Sequence, residues 1–138
     1  MSTPPLPAPV RDWIDYDYAI VRVVPHVHLG MFYNIGVVMH ARTAGFLGAH
    51  LHLDRGRLSR RCPNLDMDLL DRFLNAYQRI CEGATDAAPI ALLPPSERFH
   101  WLTTPRSAVL QCSDVHAGRT RNPEATLEQL FTENVQSG

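Results

Sequence analysis

Lysine is missing from this chain; all 13 basic residues are arginine. A lysine nucleophile or Schiff base is thereby excluded. With 14 acidic residues the formal net charge is -1, so no global field draws the protein to nucleic acid or to an anionic membrane. Cysteine is scarce as well. Cys62, Cys81 and Cys112 form an odd, widely and irregularly spaced set, which is neither a disulfide framework nor a zinc knuckle. Free thiols are expected, with Cys81 acting as a small hydrophobe. There is no Gly-rich phosphate loop, no dinucleotide fingerprint and no Gly-x-Ser-x-Gly nucleophile elbow. No apolar run approaches the ~20 residues of a membrane span. The Pro-rich start, Met1 to Pro9, lacks the basic and apolar regions of a signal peptide. It reads as a disordered leader over residues 1–14, ahead of one domain at 15–135. These features together lead us to expect a cytoplasmic protein.

What is present suffices for a core. At 138 residues and 45% hydrophobic content, one domain can form without staples. Tyr16 to Val24, YDYAIVRVV, is apolar on both faces and predicts a central strand ended by Pro25. Phe32 to Arg42 and Phe46 to Leu53 alternate strictly and predict a hairpin closed by Thr43-Ala44-Gly45, with Gly45 left-handed. That register puts Ile35, Val37, Leu51 and Leu53 on one buried face. Asn34, Gly36, Val38, His40, Gly48, His50 and His52 fall on a roomier, mixed one.

Leu69, Leu70, Phe73, Leu74, Tyr77, Ile80 and Cys81 follow helical spacing over Asp66 to Glu82, and Gly83 supplies the stop. Asp54 to Arg61 reads as an Arg-rich loop. Ser96 is placed to cap one short turn. Ser107 to Val115 forms a possible fourth strand, and Asn122-Pro123 opens a last helix. The expected fold is therefore α+β. It has an antiparallel sheet of about four strands, with two main helices packed on one face.

Several side chains carry chemical potential. Arg22 lies in the strand expected to be central, where a charge must pair with Asp or Glu or face a cleft; its planar guanidinium suits phosphate or carboxylate. His26-x-His28 and His50-x-His52 place two imidazoles on one strand face. With His40, the His50 pair forms a weak metal candidate; otherwise no metal or cofactor is implied. Arg106, Ser107, Ser113, Asp114 and His116 contain triad ingredients, although a turn held by Ser and Asp bonds also explains them. Arg55, Arg57, Arg60 and Arg61 form a basic patch without neighbouring aromatics for base stacking. Nucleic acid is therefore not the expected partner.

The segments YDYAIVRVVPHV (16–27), NIGVVMHA (34–41), FLGAHLHLD (46–54) and PIALLPPSERFHWLTTPRSAVLQCSDVHAG (89–118) resemble a bacterial domain-of-unknown-function family, number 3037. The family's first loop commonly carries an acidic residue before the Asn-x-Gly-Val stretch. Here it reads His28, Leu29, Gly30, Met31, so a role resting on that carboxylate does not carry over. The resemblance implies no established activity. It does imply association with HipA-like serine/threonine kinases.

Two readings result. One is a non-enzymatic interaction or regulatory module with a protein partner, most plausibly such a kinase, in which Asn34 of the mixed face is a contact candidate. The alternative is an enzyme or ligand binder for a phosphate-bearing substrate, using Arg22, His26, Arg106 and His116, with Ser107 beside them. Self-association is compatible with either.

Overall fold

The structure is a computed structural model, and it describes residues 12–25, 31–105 and 109–136. Strand β1 (Ile14–Val23) lies in the middle of a five-stranded antiparallel sheet. On one side it pairs with β2 (Tyr33–Ala41), which pairs in turn with β3 (Phe46–Leu51). Its other edge is shared by two short strands laid end to end. β4 (Leu110–Cys112) pairs with Val21–Val23, and β5 (His116–Thr120) pairs with Ile14–Tyr18. The single strand expected over 107–115 is thus a shorter β4 followed by β5. Ser113 bridges them. Its amide donates to the Ile20 carbonyl and its hydroxyl accepts the Ile20 amide, both at 2.8 Å.

The two-sided apolarity of β1 is used in full. Ala19, Val21 and Val23 face helices α2 (Met67–Glu82) and α3 (Pro95–Thr103), while Ile20 joins Val37 and Met39 under α4 (Pro123–Phe131). The α+β class and the antiparallel sheet are as the sequence implies. The two main helices expected on one face, α2 and α4, lie on opposite faces. Both faces of β1 are apolar and each helix takes one of them, and a β-bulge in β2 adjusts its alternation to match. Arg22 faces Asn34 and Val21 faces Gly36, so Ile35 is an extra residue in β2. One inserted residue reverses the alternation beyond it. Ile35 therefore packs with Leu51 and Leu53 toward α2, as anticipated, but Val37 turns toward α4.

The hairpin register also differs by one residue from the reading of the sequence. Val38 faces Ala49 and Val37 faces His50, because Arg42 joins the connection as the start of a tight turn (Arg42–Ala44). Gly45 closes it at φ 61°, the left-handed conformation expected of it.

Local signals explain the helices. Asp66 accepts the Leu69 amide at the start of α2, and left-handed Gly83 ends it. The guanidinium of Arg98 donates to the carbonyls of Ile80 and Cys81 in the last turn of the helix, the former also accepting the Gly83 amide. Leu69 and Phe73 lie outside the buried stripe of α2 and stay exposed. α3 begins at Pro95 with no side-chain cap, so Ser96 does not play the part expected of it. Asn122 caps α4 through the Ala125 amide, with Pro123 in the first turn. Residues 55–61, read as a loop, form helix α1 (Arg55–Arg61), capped by Asp54 and anchored by buried Leu58. Among the described residues, no helix is long and apolar enough to cross a membrane.

Candidate functional site

One end of the α4-facing side of the sheet is polar. Gln111 of β4, Arg22 of β1 and Asn34 of β2 stand opposite one another across three strands. Because cross-strand partners share a face, their side chains project together. The Phe32 ring lies over the Arg22 guanidinium, 4.1 Å from the carbon to the ring centroid, a cation–π contact. Arg22 has no carboxylate partner among the described residues, and its Nε is buried with no hydrogen-bond acceptor. The internal salt bridge expected as one resolution of this charge is replaced by the aromatic contact. Asn34 donates from Nδ2 to the Asn134 carbonyl at 3.0 Å, while its Oδ1 is buried and unpartnered. One donor and one acceptor of this cross-strand pair are thus buried without a protein partner among the described residues.

This corner opens into a cleft of about 520 Å³ lined by Phe32, Asn34, His52, Arg57, Arg61 and Asn134, among others. Arg57 and Arg61 come from α1, one turn apart and so on the same helical face. Asp54, also at the rim, uses Oδ1 to accept the Arg57 amide at 3.1 Å. The cleft is concave and mixed, with Phe32, Ile35, Leu58 and Val135 beside His52, Asp54, Arg57 and Arg61.

The structure assembles only part of the candidate set named from the sequence. Arg22 and Asn34 come together. His116 lies on β5 opposite Tyr18, its ring 5.4 Å from the tyrosine ring and exposed, away from the cleft. His26, Arg106 and Ser107 lie outside the described residues. The three histidines of the weak metal candidate do not converge. His40 faces α3, with its ring 5.5 Å from Phe99. His50 faces α4, stacked on Phe131 and paired with Glu128. His52 borders the cleft. Ser113 serves the β4–β5 junction, its hydroxyl also donating to the Asp114 backbone carbonyl at 2.9 Å; of the Ser and Asp side-chain bonds expected there, those of Ser113 are seen. Arg57 and Arg61, read from the sequence as part of a basic patch on a loop, are singled out by helix α1. The signal that would have found them is Asp54 placed to cap a helix, which sets the two arginines a turn apart.

A second, apolar pocket of about 240 Å³ lies between α2, α3 and β4, walled by Val21, Phe73, Ile80, Trp101 and Cys112. Its polar groups are committed. The Tyr77 hydroxyl donates to the Leu102 carbonyl at 3.0 Å, and the Cys112 thiol points to the same oxygen at 3.5 Å. Burial raises the Tyr77 hydroxyl well above its ordinary value and raises the Cys112 thiol. It pushes the Cys81 thiol up to about 12. Neither thiol is prepared as a thiolate nucleophile.

No curated protein and no solved structure matches the chain significantly. The model of the family described as "Protein of unknown function (DUF3037)" matches residues 18–135, which is most of the sequence and all of the sheet except the first four residues of β1. The chain belongs to the DUF3037 family.

Proposed function

We propose that the protein is a non-enzymatic interaction module of the cytosol that docks a protein partner on the Phe32–Arg22 corner of its sheet. The partner implied by the family resemblance is a HipA-like serine/threonine kinase. The observation that carries the reading is the state of Arg22: half-buried, stacked under an exposed aromatic ring, its Nε without an acceptor. Met31 and Phe32 beside it are 48% and 49% exposed. Arginine and aromatic side chains grouped next to a concavity are the composition from which interface hot spots are built. An incoming peptide group carries both the acceptor that Arg22 Nε lacks and the donor that Asn34 Oδ1 lacks, and an apolar side chain would cover Phe32.

The test is native purification of the tagged chain from its host, followed by identification of what accompanies it. Phe32→Ala is expected to reduce partner recovery at least about tenfold, the effect of losing a hot-spot aromatic. Leu92→Ala, which truncates an equally prominent apolar side chain elsewhere (66% exposed), should leave recovery unchanged. Recovery of this chain alone under mild salt would refute the proposal, as would equal recovery with Phe32→Ala.

A further inference from the structure

Helix α1 brings arginine charge to the cleft. Helix α1 holds four arginines in seven residues and no acidic residue in its first turn. Arg55 is neutralised by Asp68 and Asp71 of α2. Arg61 has no carboxylate partner among the described residues and lines the cleft. Like charges one turn apart, as at Arg57 and Arg61, weaken a short helix by about 0.2–0.5 kcal/mol. An anion between the two guanidinia would reverse the sign of that term.

His52 also lines the cleft, and Oδ1 of Asp54 at its rim accepts the Arg57 amide. We infer that this cleft binds a phosphate monoester, held by the guanidinia of Arg57 and Arg61 and by His52. The planar fork of arginine matches phosphate oxygens in pairs. At about 520 Å³ the cleft is within the ordinary range of roughly 300–1,000 Å³ for ligand sites, larger than a phosphate group alone requires. Room remains along Phe32 and Tyr33 for whatever carries the phosphate, either a phosphorylated side chain of a partner or a small metabolite such as a nucleotide. The inference deepens the docking proposal, since the cleft adjoins the same Phe32 corner.

The experiment is a titration of the isotope-labelled full chain, followed by backbone amide shifts. O-phosphoserine is the first probe and serine its control. O-phosphoserine should give saturable shifts at Asn34, His52 and Arg61, weakening as salt is raised, while serine gives none. Arg61→Ala should weaken binding about tenfold, the loss expected for one charge-assisted contact. Arg60→Ala removes the same charge from the same helix at a residue that does not line the cleft; it should change affinity less than about twofold. A phosphoserine-containing peptide binding tighter than adenosine monophosphate would identify the source as a partner segment, and the reverse order a small metabolite. Both orders support the shared chemistry. Absence of saturable shifts with every phosphate probe overturns the inference, and so do equal losses in the Arg60 and Arg61 variants. Because this binding is read on the purified chain alone, its failure is distinct from failure of the Phe32-dependent partner capture.

Discussion

His50 lies flat on Phe131, with ring centroids 3.6 Å apart and planes 4° from parallel, and its Nδ1 is 2.9 Å from Glu128. This pair fastens α4 to β3, the outermost strand on that side of the sheet. His50→Ala is expected to lower stability by about 1–2 kcal/mol, combining the stacked pair with lost apolar contact. Glu128→Gln should cost no more than about 0.5 kcal/mol, because the carboxylate is largely exposed. Urea unfolding of the two variants measures the difference. Equal effects would show that the ion pair, rather than the stacking, holds the helix.

The register of the hairpin can be tested through two glycines that are needed for different reasons. A Cβ on Gly36 would stand 2.6 Å from the His50 carbonyl oxygen and 2.5 Å from Leu51 Cδ2. Gly36→Ala should therefore destabilise by about 1–3 kcal/mol through overpacking. Gly45 has open space around it but a φ of +61°, so Gly45→Ala should cost about 1–2 kcal/mol from backbone conformation. Asparagine tolerates that conformation better, and Gly45→Asn should recover part of the loss. No comparable recovery is expected from Asn at position 36, since the obstacle there is backbone and not φ. Denaturant midpoints for the four variants decide this.

These contrasts show which features were legible in the sequence. Strand β1, helix α2, the Asn122–Pro123 start of α4 and the left-handed Gly45 rest on signals contained within a few residues, namely periodicity, caps and turn chemistry. The bulge at Ile35 has no such signal. It arises because both faces of the sheet must be buried, and only the position of α4 makes Val37 and Met39 interior. Once the alternation reverses, the histidine face inferred from it dissolves, and His40 separates from His50. Helix α1 was hidden by its arginines and by Gly56, which occupies its second position. The cleft was illegible for a different reason. It joins Asn34, His52, Arg61 and Asn134, which are far apart in the chain and are brought together only by the packing of α1 and of the helical turn after α4 (Thr132–Gln136) at the end of the sheet. Arg22 was recognisable as an unusual charge in a buried strand, whereas its contact with Phe32 depends on the pairing of β1 with β2.

Ser113 offers a test of a structural role against a chemical one. Its hydroxyl is the acceptor for the buried Ile20 amide at the β4–β5 junction. Ser113→Ala would leave that donor unsatisfied and should cost about 1–3 kcal/mol. The neighbouring Asp114 is exposed, and Asp114→Ala should stay within about 0.5 kcal/mol of the parent. A triad role would bind the two residues functionally; the structure instead sets one as a strand connector and the other at the surface. Similar stability losses for both variants would contradict this assignment.

His40 gives the fold a dependence on pH. The imidazole is buried against Phe99. Burial lowers its pKa below the ordinary histidine value; the carboxylate of Asp17 opposes this, and the Arg42 and Arg98 guanidinia reinforce it. The native state therefore resists protonation at pH values where the unfolded chain accepts a proton. By linkage, stability is complete above the ordinary histidine value of about 6.5. It declines as pH falls below that value, and the decline stops once the lowered native value has been passed. His40→Phe removes the titrating group while retaining an aromatic ring against Phe99. Its stability should fall less than the parent's when urea unfolding is repeated at pH 7 and at pH 5. Parallel losses in the two proteins would assign the acid sensitivity to other groups.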